Sequence, residues 1–118
     1  HRSCRGIKTY VHDSMLFIST YEGIIDAFDY HSGTLLWSIE LRGNMIFELL
    51  FHSGNIYCSC DDGRIYCISE KKGDIMWIVN TESEFIIRSA FFPIYMEIHG
   101  ELLLVGIENG PIFMISIE

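Results

Sequence analysis

Short runs of apolar residues alternate with turn-forming residues along the whole chain. Residues 15–18 are followed by Glu22-Gly23 and then by residues 24–28, an arrangement typical of two strands joined by a tight turn. Asp62-Gly63 and Asn109-Gly110 are further hairpin signals, because glycine reaches positive φ at no steric cost. No window places apolar residues at helical spacing over a useful length. The pattern therefore predicts an all-β chain.

This pattern repeats along the chain. Two glycines and one tryptophan recur 40 positions later, with Gly23, Gly33 and Trp37 returning as Gly63, Gly73 and Trp77. Apolar positions follow the same shift, so the buried faces are expected to repeat as well. An internal repeat of this length is typical of stacked or radial repeat architectures.

A third copy of the repeat is identified from Leu102 onwards. It aligns Gly110 with Gly63, a step of 47, so this copy is expected to carry seven extra residues. Proline and glycine punctuate residues 93–100, which are therefore predicted to form an exposed loop. Only the first hairpin of this copy is expected.

Each full copy is predicted to hold four strands, which in the second copy are residues 47–51, 56–60, 64–69 and 75–79. Four antiparallel strands per repeat are typical of a β-propeller blade. We therefore predict that residues 1–118 form part of a propeller with about three four-stranded antiparallel blades. The blade regions are 7–46, 47–86 and 87–118, the last one incomplete.

Residues 27–37 carry a family resemblance. They resemble the A-x-D-x-x-T-G-x-x-x-W signature of PQQ-like (quinoprotein-like) repeats, with matches at Ala27, Asp29, Gly33 and Trp37. The second copy keeps Gly73 and Trp77 but has Cys67, Ser69 and Lys72 at the other signature positions. The resemblance implies that Trp37 and Trp77 dock neighbouring blades, with Ala27, Gly33 and Gly73 in structural roles.

Proteins with this repeat have several functions. They include quinoprotein alcohol dehydrogenases, an outer-membrane-protein assembly lipoprotein, luminal sensor domains, and the C-terminal propeller of β-alanine-activating enzymes similar to acyl-CoA synthetases. The strands rich in cysteine and tyrosine at residues 56–60 and 65–67 resemble the last group. The resemblance therefore implies a non-catalytic interaction or regulatory scaffold within a larger amino-acid-activating enzyme. A dehydrogenase propeller and an envelope or luminal propeller are the alternatives.

Composition and charge limit the partners and the location that can be expected. The formal net charge is −8 and no window forms a basic stripe, which argues against nucleic acid as a partner. No apolar run is long enough to span a membrane. Four cysteines without the framework of a small secreted domain favour a reducing compartment, so a cytoplasmic location is expected. Because the chain starts at His1, we interpret it as an excerpt or a processed product.

No catalytic, cofactor or metal site is assigned from the sequence. His31, Ser32 and Asp29 are neighbours in a predicted turn and do not form a triad. Asp61 and Asp62 lack the alternating oxygen ligands of a calcium loop. Quinoprotein enzymes hold their cofactor with adjacent cysteines and a calcium site that this sequence lacks. The expected partners are the remaining blades of the same propeller or other copies of the chain.

The cysteines leave several interpretations open. Pairing across Asp62-Gly63 is expected to place Cys58 opposite Cys67 and Cys60 opposite Ile65. A buried core role, a disulfide between Cys58 and Cys67, and a metal or redox role all remain possible for this cluster.

Overall fold

A computed structural model of the chain describes residues 7–41, 46–60, 63–80, 94–107 and 112–117. Within these ranges the backbone forms eleven strands. They are β1 Lys8–His12, β2 Met15–Ser19, β3 Ile24–Asp29, β4 Leu35–Glu40, β5 Ile46–His52, β6 Asn55–Cys60, β7 Arg64–Ser69, β8 Ile75–Asn80, β9 Ile94–His99, β10 Leu102–Ile107 and β11 Ile112–Ser116. Among the described residues there is no helix that is long and apolar enough to cross a membrane.

The strands form three antiparallel sheets. The first sheet has the order β1-β2-β3-β4, the second has the order β5-β6-β7-β8, and the third has the order β11-β10-β9. Strands that are consecutive in the chain are therefore neighbours in the sheet, as in a meander. The prediction of an all-β chain with successive blade-like sheets is confirmed.

The prediction of an exposed loop at residues 93–100 is wrong, because Ile94–His99 forms strand β9 and pairs with β10. The third sheet thus begins before Leu102 and has three described strands. Pro93 directly precedes the strand in the sequence, and Gly100 lies in the turn that follows it, with φ +60°. The two punctuating residues mark the ends of a strand. The extra residues of this copy fall before β9, within 81–93, which lie outside the described residues.

Two apolar layers hold the sheets together, one on each side of the second sheet. Ile56, Cys58 and Cys60 of β6 belong to the layer shared with the first sheet, together with Phe17 and Ile25. Tyr57 of the same strand belongs to the layer shared with the third sheet, which includes Ile65, Cys67, Met96 and Leu103. Successive side chains on a strand point to opposite faces, so the second sheet is buried on both.

The first and third sheets are covered on one face only. On β2 the burial alternates, with Met15, Phe17 and Ser19 buried and the residues between them partly exposed. The opposite side of the molecule shows the same feature, because Ile112 and Met114 are exposed on β11. The described chain therefore has one sheet with apolar layers on both faces, although its edge strand β8 keeps exposed residues such as Met76, between two half-covered sheets.

Candidate functional site: the seam between the first and second sheets

Trp37 of β4 joins the first sheet to the second. Its indole Nε1–H donates a hydrogen bond of 2.9 Å to the backbone carbonyl of Glu70, in the turn between β7 and β8. The ring packs against the shared apolar layer, with its centroid 6.0 Å from that of Phe17. We call the interface between these two sheets the first seam, and the interface between the second and third sheets the second seam.

Gly73 lies directly beneath the Trp37 ring. A Cβ atom added at Gly73 would lie 2.6 Å from both Cδ2 and Cε3 of the indole. This is too close for any residue with a side chain. The residue also has φ +77°, a region that side-chain-bearing residues rarely adopt. Glycine is thus required at this position for two reasons, the backbone conformation and the close approach of the ring.

His12 and Glu70 form a polar contact across the first seam. His12 Nδ1 lies 2.6 Å from Glu70 Oε2, and the Asp13 carboxylate lies 3.6 Å from the same nitrogen. Glu70 is 2% exposed, and its other oxygen, Oε1, has no hydrogen-bond partner among the described residues. A buried carboxylate is costly unless it is well paired, so this corner of the seam is the most unusual electrostatic feature of the described chain.

Aromatic rings surround this contact. The His12 ring stacks on Phe51 of the second sheet, with the centroids 4.7 Å apart and the planes 18° apart. Phe51 also contacts Phe17 and Tyr10. The Tyr10 hydroxyl accepts a hydrogen bond of 3.4 Å from the Leu49 N–H, and burial raises the pKa of this hydroxyl. The contact therefore lies in a largely apolar environment.

Trp77 occupies the same position in the second sheet that Trp37 occupies in the first. It packs against the apolar layer of the second seam, with its centroid 5.8 Å from that of Tyr57. Small residues face both indoles across the sheet, since Ala27 pairs with Trp37 and Cys67 pairs with Trp77. A shift of register follows each small residue, which shows that the local backbone repeats along with the sequence.

The predicted hairpin turns are placed as follows. Gly23 has φ +81° and donates its N–H to the Thr20 carbonyl, and Gly63 has φ +79° and donates to the Cys60 carbonyl at 3.2 Å. Asp62, Asn109 and Gly110 lie outside the described residues.

Gly33 and the residues around it form the turn between β3 and β4. The Asp29 carboxylate accepts hydrogen bonds of 2.9 Å from the backbone N–H groups of His31 and Ser32. These hydrogen bonds hold the pKa of Asp29 below its usual range. Asp29 therefore stabilises the turn. Among the described residues, no atom lies within 4 Å of a Cβ added at Gly33, in contrast to Gly73.

The expected pairing of the cysteines is wrong. The register pairs Cys58 with Tyr66 and Tyr57 with Cys67, so Cys58 and Cys67 lie on opposite faces of the second sheet. Cys58 and Cys60 share a face, with their sulfur atoms 4.0 Å apart. All three are buried and none of them forms a disulfide, and burial raises the pKa of the Cys67 thiol. These cysteines belong to the core.

Sequence reasoning missed His12 and Glu70. The repeat does contain a signal for Glu70, because this residue occupies the position of the exposed Tyr30 in the preceding copy. Glu70 departs from the repeat in two ways, because an acid replaces an aromatic residue and a buried side chain replaces an exposed one. His12 gives no comparable signal, since His52 follows it at the same spacing.

The antiparallel sheets stack face to face, and a tryptophan of one sheet packs on a glycine of the next. This arrangement defines a segment of a β-propeller. The sequence profile of the family described as "outer membrane protein assembly factor BamB" matches residues 2–118. The chain belongs to this family, and its repeats are of the PQQ-like type.

Individual relatives agree with this assignment. The outer membrane protein assembly factor BamB of Francisella tularensis subsp. tularensis is 28% identical over 71 residues, which cover 60% of this chain and 15% of that protein. The crystal structure of BamB from Moraxella catarrhalis has a TM-score of 0.72 at 18% identity, covering 92% of this chain and 30% of that one. The chain thus spans a small part of the length of these relatives.

A quinohemoprotein alcohol dehydrogenase, ADHIIG from Pseudomonas putida HK5, has the same local fold. Its TM-score is 0.78 at 18% identity, and the match covers all of this chain and 20% of that one. At this level of identity, the similarity to solved structures shows the fold alone.

Proposed function

We propose that this chain supplies about three blades of a larger β-propeller, and that the closed ring is a non-catalytic scaffold for protein–protein interaction. The description of the matching family as an assembly factor supports a role in holding other proteins.

The difference in burial between equivalent positions carries this proposal. Cys67 of β7 is 0% exposed because the third sheet covers it. Met114 of β11 stands at the equivalent position, 47 residues later, and is 63% exposed. An exposed apolar face of this kind usually marks an interaction surface. Another blade placed against β11 would cover it as the third sheet covers Cys67.

The covering blades have two possible origins: the same polypeptide, or other copies of this chain. The mass of the native particle distinguishes them. A monomer that holds further blades supports the first, and a particle of several chains supports the second. A stable monomer of these 118 residues alone would contradict both.

Methionine oxidation in the intact protein tests whether the face is covered. We expect Met114 to be protected, whereas Met76, which is 58% exposed on β8, should be oxidised quickly. Met96 is buried in the second seam and serves as the protected reference. Mass spectrometry of the peptides measures each rate. Oxidation of Met114 as fast as Met76 would contradict the proposal.

The competing function is a quinoprotein dehydrogenase, which the similar fold of ADHIIG favours. The described residues do not fit a quinone held by adjacent cysteines, because Cys58 and Cys60 are separated by Ser59 and face the core. Titration of the intact protein with pyrroloquinoline quinone and calcium decides between the two functions. Tight binding would overturn the scaffold proposal.

Two finer proposals extend the scaffold role. A parent enzyme that activates amino acids stays a prediction, and the relatives named above are assembly factors and a dehydrogenase. Exchange of pyrophosphate into ATP in the presence of β-alanine, measured with the intact protein, would support it. A cytoplasmic location also stays a prediction, and fractionation of the source cells tests it.

A further inference from the structure

We propose that His12, Asp13 and Glu70 bind one divalent transition-metal ion of the Zn²⁺ class at the first seam. One ligand atom from each residue, an imidazole nitrogen and two carboxylate oxygens, lies within 4.8 Å of the others. Ligand atoms of a tetrahedral Zn²⁺ lie about 3.3 Å apart, so these atoms need only small shifts to share one ion. His12 is the last residue of β1, Asp13 lies in the β1–β2 turn, and Glu70 lies in the β7–β8 turn.

The Glu70 carboxylate is the observation that points to a ligand. It is 2% exposed, its Oε2 contacts His12, and its Oε1 has no hydrogen-bond partner among the described residues. Buried charges in proteins are usually paired or coordinate metals. A cation that contacts the free oxygen would supply the missing partner.

The donor set determines the class of metal. Imidazole nitrogen suits Zn²⁺ and its neighbours, whereas Ca²⁺ prefers six to eight oxygen ligands and Mg²⁺ prefers a near-ideal octahedron of oxygens. Three protein ligands leave one position of a tetrahedral Zn²⁺ for a water molecule. A cavity of about 260 Å³, lined by Asp13, Met15, Gly54 and Glu70 among others, provides the space.

Binding requires only a small movement. His12 Nδ1 and Glu70 Oε2 are 2.6 Å apart, which is hydrogen-bond distance. Two ligands of a tetrahedral Zn²⁺ lie about 3.3 Å apart, as follows from bond lengths near 2.0–2.1 Å. The Glu70 side chain therefore has to rotate slightly or use Oε1. Asp13 is exposed, so its carboxylate is free to approach. Lys71 and Lys72 also line the cavity, but both are exposed, and solvent and salt weaken their repulsion of the ion.

The metal would join two blades, because its ligands come from two sheets. Any ligand that binds the folded state and not the unfolded state raises the melting temperature. Zn²⁺ should therefore stabilise the first seam in particular.

The repeat provides an internal control for this site. His52 stands 40 residues after His12, but Ser53 replaces Asp13. In the third copy Ile117 stands 47 residues after Glu70. The equivalent corner of the second seam therefore lacks a carboxylate at both of these positions. The nearby Glu101 carboxylate, 3.8 Å from His52 Nε2, leaves one histidine and one acid there, and His52→Ala is a matched control for His12→Ala.

The test is a calorimetric titration of the intact, metal-free protein with ZnCl₂, together with melting curves with and without the metal. We expect about one ion bound and a higher melting temperature in the original protein and in His52→Ala. We expect His12→Ala and Glu70→Gln to lose the bound ion and the thermal shift. Asp13→Asn should bind at least about tenfold more weakly.

Three outcomes would overturn the proposal: no binding by the original protein, equal binding by His12→Ala and Glu70→Gln, or loss of binding in His52→Ala alone. The exposed pair of His99 and Glu97, 2.7 Å apart, is another place where an added ion could bind, and His99→Ala identifies it, as His52→Ala does for the pair of His52 and Glu101. If His12→Ala or Glu70→Gln does not fold, Asp13→Asn decides, because Asp13 is exposed and its amide preserves the shape. Unweakened binding by Asp13→Asn would then contradict the proposed ligand set.

Discussion

The turn between β3 and β4 and the turn between β7 and β8 have nearly the same backbone and different surroundings. Gly33 and Gly73 have φ +75° and +77°, and each donates its N–H to a carbonyl four residues earlier, at 2.9 and 2.8 Å. In the first turn, residues 29–34, no described residue lies against the glycine. The second, residues 69–74, lies under Trp37.

The two turns are also stabilised in different ways. In the first, the Asp29 carboxylate accepts two backbone hydrogen bonds of 2.9 Å. In the second, Ser69 stands at the equivalent position and accepts a single bond of 3.4 Å from the Lys72 N–H. Trp37 compensates, because it covers Gly73 and donates to the neighbouring Glu70 carbonyl. Beyond the backbone hydrogen bonds that both share, a carboxylate stabilises the first turn and contact between sheets stabilises the second.

This difference shows that a close match to a repeat signature and a tight contact are separate properties. The first copy matches the PQQ-like signature at Ala27, Asp29, Gly33 and Trp37, yet its own turn is uncovered. The second copy has lost the aspartate, and its turn is the one that a tryptophan covers. The tryptophan in the signature of one blade packs on the glycine of the next blade. The contact is therefore found by comparing adjacent copies of the repeat.

Removal of the Trp37 ring should have the largest effect on this comparison. Trp37→Ala is expected to lower the free energy of unfolding by about 3–5 kcal/mol, the usual cost of deleting a packed tryptophan from a core. Trp37→Phe keeps most of the ring contact and loses the hydrogen bond to Glu70, worth about 1 kcal/mol. Urea unfolding measures both, with Trp77→Ala as the counterpart in the second seam. A loss below about 1 kcal/mol for Trp37→Ala would show that the ring does not hold the seam.

The glycine pair gives the sharpest test of the comparison, with a smaller expected effect. Gly33→Ala should cost about 1–2 kcal/mol, because only the left-handed backbone is strained. Gly73→Ala carries the same strain and also forces a Cβ into the Trp37 ring, which adds about 1–3 kcal/mol of overpacking. Combining Gly73→Ala with Trp37→Ala should remove the excess cost. Equal losses for the two single variants would mean that a tryptophan of another blade also covers Gly33.

Most of the fold could be predicted from the sequence, because the repeat and the period-two pattern are local signals. The strand predicted at residues 64–69 is β7, and the one predicted at 75–79 is one residue shorter than β8. The prediction was wrong at β9, where Pro93 and Gly100 mark the ends of a strand and not a loop. Proline and glycine indicate the end of a strand, but they do not indicate whether the strand lies before or after them.

The features of the seam were less predictable. The resemblance drew attention to Trp37 and Gly73, but it did not reveal Glu70, which lies 58 residues from its partner His12. The cysteine pairing failed for a different reason. Three residues, 61–63, connect β6 to β7, whereas the expected pairing across Asp62-Gly63 left only two residues in this turn. A slip of one residue moves every side chain to the other face, which is why Cys58 and Cys67 were paired wrongly.

The smallest expected effect concerns the Asp29 carboxylate that stabilises the uncovered turn. Its hydrogen bonds lower its pKa below the ordinary value of 3.8, so the folded state favours the ionised form. This contribution to stability is present above the ordinary pKa and is lost as the pH falls through the lowered one. Asp29→Asn keeps an acceptor oxygen without a titration, so its unfolding midpoint in urea should depend less on pH than that of the original protein between about pH 5 and 3. Identical pH profiles for the two proteins would show that the charge of Asp29 does not stabilise the turn. The contact of Trp37 with Gly73 would then be the main difference between the two turns.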